Sequence, residues 1–135
     1  MLVLESSFLV AYHNRRDVHH ADAARAMERL VAGDWGEALL LEYVFLEVVT
    51  VLLVRRGLDI AARVADLLLE AREIEFVPCS DVFLAALEIF RGQWSGRLSF
   101  ADAAIVAVAR ARANGLVATF DHDFAEVSGI SVVPG

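Results

Sequence analysis

The chain has no lysine, only one cysteine, too few basic residues to balance its acids and no unbroken apolar stretch of membrane length. All 12 basic residues are arginine, a compositional bias that carries no mechanism by itself. A lone cysteine, Cys79, excludes an intrachain disulfide framework and a cysteine zinc site, and suits a reducing cytoplasm. Following Pro78 at an expected strand end, it is expected only to pack. Nineteen acidic residues against 12 basic leave a net charge of -7, so a broadly basic surface is not the basis of any polyanion binding. Residues 38–54 are the longest apolar stretch, but Glu42 and Glu47 interrupt it, and each carboxylate would be costly at mid-bilayer. The opening MLVLESSFLVAY lacks a positive n-region and carries Glu5 where a secretory leader needs apolar residues. The expectation is a soluble cytoplasmic protein with no membrane segment. Two catalytic signatures are also missing: a glycine-rich phosphate loop, since the eight glycines mark turns, and a serine nucleophile elbow.

Apolar residues, by contrast, make up 58% of the 135, enough to bury a substantial core. Short apolar runs at 2–4, 38–41, 74–77, 116–119 and 130–133 read as strands, with helices expected over 8–13, 17–30, 43–55, 59–71, 81–90 and 100–114. Ser6 or Ser7 is expected to cap the first helix, Ser80 or Asp81 the fifth and Ser99 the sixth; Gly57 and Gly115 are expected to close helices. Residues 92–97 read as a loop. Strands alternating with helices predict one α/β domain over 1–135, a three-layer α/β/α arrangement around a parallel five-stranded sheet. Such sheets bind ligands beyond the carboxyl ends of their strands, where strand order reverses. The residues there are acidic: Glu5 after the first strand, Asp121 after the fourth.

Five carboxylates stand out. Glu47 lies on a helix that is apolar almost all round, where a charge is costly unless paired. Asp102 occupies the first turn of the apolar helix SFADAAIVAVARA, and Asp121 and Asp123 sit in TFDHDF. Each has a plain structural alternative. Ser99 and Asp102 have capping-box spacing, Asp121 can cap a turn, Asp123 can be solvated, and Glu5 can cap the helix that follows it. Together they have another meaning. If Glu5 and Asp121 follow adjacent central strands their carboxylates converge, and several carboxylates in one pocket repel unless a cation joins them. An all-oxygen set suits Mg2+ or Mn2+, either of which can activate water and stabilise a leaving oxygen at a phosphodiester.

The segments VLESSFLVAY, LEYVFLEVVTVLLVRRG, RLSFADAAIVAVARARANG and TFDHDF, in that order along nearly the whole chain, resemble the PIN-domain family, notably its VapC-type toxins. The resemblance implies a homodimeric, divalent-metal ribonuclease inhibited by a co-expressed antitoxin, usually a small DNA-binding protein. By position it puts the metal-binding acids at Glu5, Glu47, Asp102 and Asp121, with Asp123 as an accessory and Ser6 as a supporting hydroxyl. Thr119 is read as a plain strand-end residue with an optional supporting hydroxyl. One position departs from the family pattern: residue 5 is glutamate where aspartate is usual. The extra methylene shifts the carboxylate, and Mg2+ tolerates displaced ligands poorly. The alternative is therefore a weakened PIN-like module that binds RNA or an antitoxin. A phosphatase of similar layout would need an aspartate nucleophile at position 5.

His13, His19, His20 and His122 do not make a zinc site, since the His19–Asp22 spacing has no second pair to complete it; they are expected to be solvated. Arg91 and Arg97 flank Trp94 in the 92–97 region and are the candidate RNA contacts, because arginine suits phosphate and tryptophan can stack on a base.

Overall fold

The computed structural model describes residues 1–135. Five strands, β1 (Leu2–Leu4), β2 (Ala38–Leu41), β3 (Ile74–Val77), β4 (Leu116–Ala118) and β5 (Ser131–Val133), form one sheet in the order β3-β2-β1-β4-β5. Every neighbouring pair is parallel. The continuous apolar runs of β1 and β2 are buried at every residue, as strands covered on both faces must be. The edge strands β3 and β5 are only partly buried. Six helices cover the sheet: α1 (Ser6–His13), α2 (His20–Val31), α3 (Glu42–Arg56), α4 (Leu58–Glu70), α5 (Cys79–Gly92) and α6 (Phe100–Arg112). They pack as α1 on α2 and α3, α3 on α4, and α5 on α6. None is long and apolar enough to cross a membrane.

The chain builds outward from β1 through β2 to β3, then returns to the far side of β1 for β4 and β5. Strand order thus reverses between β1 and β4, so the crevice beyond their carboxyl ends is the site such a topology provides. Two turns fix this geometry. Gly115 has φ +80°, and a Cβ there would lie 1.8 Å from the Gly129 carbonyl oxygen. Only glycine allows the α6–β4 turn to press against the segment entering β5, where Ser131 N–H donates to Gly115 O at 2.8 Å. Near α1, the Asn14 side-chain oxygen accepts from Arg16 N and from Arg56 Nη1 (3.1 and 2.9 Å), tying the end of α1 to the end of α3.

The structure departs from the sequence reading at several element ends. The second helix starts at His20 rather than at residue 17, because Asp17 spends its carboxylate on the His19 N–H inside a turn. Helix α1 is capped by the Glu5 side chain, not by a serine. Helix α5 starts at Cys79 without a side chain of its own as cap; instead Glu42 Oε1 accepts from Cys79 N at 3.0 Å. It runs on to Gly92, so the loop starts at Gln93. Helix α6 ends at Arg112, two residues short of the expected end, with Asn114 and Gly115 both at positive φ. A short 3-10 helix, His122–Glu126, follows β4 where no element was expected.

Candidate active site

Strand β1 ends at Leu4, and Glu5 turns into α1 with its side chain folded back. One carboxylate oxygen accepts from Ser7 N at 3.0 Å; the other accepts from the Ser7 and Thr119 hydroxyls. Glu5 is only 6% exposed. Burial pushes its carboxyl pKa up; the Ser7 and Thr119 bonds oppose that rise and nearby Asp121 adds to it. Thr119 (3% exposed) follows β4, and its hydroxyl also accepts from Asp121 N at 2.9 Å. Ser7 Oγ accepts from Phe120 N at 2.9 Å. The ends of β1 and β4 are thus bound together by hydroxyls that meet at Glu5.

Glu5, Glu47 and Asp121 line one cavity of about 270 Å3, with Ser6, Ser7 and Arg55 in its wall. Asp121 caps the 3-10 helix by accepting from Asp123 N at 3.0 Å, and still reaches the cavity. Asp102 stands just outside the lining. It forms the capping box with Ser99: its carboxylate accepts from Ser99 N and the Ser99 hydroxyl accepts from Asp102 N, both at 3.1 Å. Its carboxyl pKa is raised, chiefly by burial, with the charges of Asp121 and Glu47 contributing. Four acids far apart in sequence therefore share one electrostatic neighbourhood: Asp121 acts on Glu5, and both Asp121 and Glu47 act on Asp102.

Several placements differ from the sequence reading. Glu47 is exposed, so the burial cost argued for it does not arise; the apolar excess of α3 is itself at the surface, at Leu46, Leu53 and Val54. Asp123 lines a different cavity, of about 480 Å3, between the α5–α6 loop and the 3-10 helix. Ser6 is buried (4% exposed) and its hydroxyl has no hydrogen-bond partner, while its neighbour Ser7 makes the bonds to Glu5. Thr119, read from the sequence as a plain strand-end residue, and Ser7 are the hydroxyls of the site. Their positions, two residues from Glu5 and from Asp121, were the only sequence signal for them. Glu42 directly follows β2 but is turned to cap α5. Arg97 and Arg91 lie in exposed ion pairs, Arg97 with Glu126 at 3.2 Å and Arg91 with Glu88 at 3.9 Å, beside a fully exposed Trp94.

Besides His19 and Arg55, the polar groups around the cavity are carboxylate and hydroxyl oxygens, the set a hard divalent cation takes, and the orphaned Ser6 hydroxyl lies at its wall. The side chains do not close into a ready cluster of three ligands. The residues fit a hydrated ion held by few direct bonds, as Mg2+ prefers, better than an all-protein cage.

No curated protein matches the sequence at significance. Among solved structures, the chain is similar to the Mycobacterium tuberculosis toxin VapC20, described as cleaving the sarcin-ricin loop. The TM-score is 0.82 at 24% identity, covering 96% of this chain and 97% of that one. It is also similar to PAE2754 from Pyrobaculum aerophilum, with a TM-score of 0.57 at 21% identity, covering 98% of this chain and 83% of that one. At these identities the likeness is one of fold. The PIN domain family model matches residues 2–130, nearly the whole chain, and with the acids gathered where strand order reverses, this chain belongs to the PIN domain family.

Proposed function

We propose that this chain is a divalent-metal-dependent endoribonuclease and the toxin of a toxin–antitoxin pair, hydrolysing RNA phosphodiester bonds in the cavity beyond β1 and β4. One observation carries the reading: a carboxylate buried at the end of one central strand, raised in pKa and coupled to Asp121 after the adjacent strand, at the topological switch point. Structural carboxylates are rarely buried without a cationic partner, and no arginine bonds Glu5. Glu5, Glu47, Asp102 and Asp121 would hold the ion, Mg2+ or Mn2+, with Asp123 an accessory from the neighbouring cavity and Ser6 an available hydroxyl. When bound, the ion supplies Lewis-acid stabilisation of the phosphate and lowers the pKa of water. The chain's own part is to hold the acids in place: Ser7 and Thr119 fix Glu5, the Ser99 box fixes Asp102, and the 3-10 cap fixes Asp121. Arg91 and Arg97 would contact RNA outside the cavity, since exposed ion pairs are worth about 0–1 kcal/mol and exchange readily for phosphate. A cytoplasmic location, a homodimer and an antitoxin partner complete the proposal.

The test is cleavage of RNA in Mg2+ and in Mn2+, with and without EDTA. Asp102→Asn is expected to abolish EDTA-sensitive cleavage while folding normally, because an asparagine oxygen can still accept from Ser99 N. Equal activity in that variant would remove Asp102 from the site. Binding has its own readout: Mn2+ is expected to raise the thermal midpoint by relieving repulsion among the acids, and Asp121→Asn should erase most of the gain.

A second reading, a catalytically weakened PIN module that binds RNA or an antitoxin, draws on Glu5 itself. Its carboxylate oxygens are already engaged by Ser7 and Thr119, which leaves it less free for a cation than a shorter aspartate. Protein inert towards RNA in both metals, yet binding RNA, would select it.

A further inference from the structure

We propose that His19 is a stacking shelf for a nucleobase of single-stranded RNA, beside the phosphate held in the carboxylate cavity, with Arg55 as the cationic contact in that cavity's wall. This deepens the ribonuclease reading and rests on it for the identity of the ligand.

Three nearly parallel rings run from core to surface. Phe8, 1% exposed, stacks on Phe120 with centroids 6.1 Å apart and an 18° tilt. Phe120 in turn stacks on His19, 4.4 Å away at 5°. Phe120 lies between Thr119 and Asp121, so the ring pile is anchored to the same β4 end that carries the acids. His19 and Asp17 line the same cavity as Glu5, Glu47 and Asp121.

The turn that carries His19 is held at three points. Asp17 Oδ1 accepts from His19 N at 2.8 Å, His20 Nδ1 lies 2.8 Å from Ala11 O, and Asn14 ties the turn to Arg56. Phe120 covers one face of the ring, and the residue is nevertheless exposed. A solvent-facing aromatic plane, stacked on Phe120 at the edge of a cavity that would take a phosphate through a bound cation, matches what single-stranded nucleic acids bind.

Charge favours the same place once a cation offsets Glu5, Glu47 and Asp121. In a chain of net charge -7 any attraction for RNA must be local. The ion pairs of the protein leave Arg55 free, whereas Arg91 and Arg97 near the other exposed aromatic, Trp94, have carboxylate partners to exchange first. Trp94 also borders the cavity that lacks Glu5, Glu47 and Asp121.

The probe is a set of single-stranded RNA decamers with 2-aminopurine moved along the strand, mixed with the full chain in Ca2+ to slow cleavage. Stacking on His19 is expected to quench one position. His19→Ala should weaken binding about tenfold and remove that quench, whereas His19→Phe, which keeps the plane, should restore both. Where RNA is cut, the Ala variant should raise KM far more than it lowers kcat. Binding and quench unchanged in the Ala variant would overturn the shelf, and so would a Phe variant no better than Ala, because the ring plane would then not be what binds. A His19-dependent quench in a protein that cuts no RNA would uphold the shelf and sink only the ribonuclease reading.

Discussion

Glu5 and His13 are both titratable, both largely withdrawn from water, and they respond to acid in opposite ways. His13, packed edge-on against Tyr12, has its pKa lowered by burial from 6.5 to about 4. Between those values the unfolded chain binds the proton and the folded chain does not. The neutral ring therefore contributes full stability above pH 6.5, and the contribution is lost as pH falls through that window, up to about 3 kcal/mol in all. Denaturant melts of the wild type at pH 7 and pH 4 should show the loss, and His13→Gln should flatten the difference; parallel curves would disprove it. Glu5 runs the other way. Its pKa is raised, so the folded chain holds the proton more tightly and its ionisation costs stability as pH rises above the usual carboxylate range. A bound cation would offset that cost near neutral pH. Glu5→Asp tests the fit of the glutamate: aspartate caps a helix at least as well and has the shorter reach usual in the family. Mg2+-dependent cleavage should rise on the order of tenfold, and a fall would mean that the Ser7 and Thr119 bonds have adapted the site to glutamate.

Elements carry those residues to the rim, and the turns between elements set how closely. The α6–β4 turn depends on Gly115. Alanine there would combine positive φ with a Cβ inside the Gly129 carbonyl, and something must move. We expect Gly115→Ala to cost about 3 kcal/mol or more, read as a fall in the urea midpoint, and to shift β4 enough to lower cleavage. Gly33→Ala, where a Cβ meets nothing, is the control: it also has positive φ but should cost less. A similar loss in both would show that backbone strain, not the close approach, governs position 115. The 3-10 helix after β4 illustrates how an element divides function. Its capping residue Asp121 faces the carboxylate cavity, whereas Asp123, two residues on, lines the other one.

At the scale of the molecule, the apolar excess has not all gone inside. Leu58, Leu67 and Leu69 on α4 and Phe83 and Leu84 on α5 are each about half or more exposed, large apolar side chains that a partner surface would cover. A self-associating chain is expected to run at twice 14.8 kDa in sedimentation equilibrium, with Leu84→Glu shifting it towards monomer. A wild type that stays monomeric at all concentrations would leave that surface to another partner.

Much of this protein was legible before any coordinates. The strand runs at 2–4 and 38–41 were readable to the residue because buried parallel strands have no polar face to blur them, and the edge run at 74–77 because Pro78 stops it. Glu5, Asp102 and Asp121 stood out because local chemistry puts acids after strands and at helix starts, and the Ser99–Asp102 box is a local motif that needs no fold. What lies across space was not legible. Only the strand order placed β1 beside β4, and only the packing chose Ser7 over Ser6 and drew in Thr119, because a one-residue step around a helix start turns a hydroxyl from partner to orphan. Glu47 was misjudged as costly because the sequence shows how apolar a helix is but not which side meets the core. The acids and the strands were written in the chain; their meeting was decided by a topology that reverses between two strands more than a hundred residues apart.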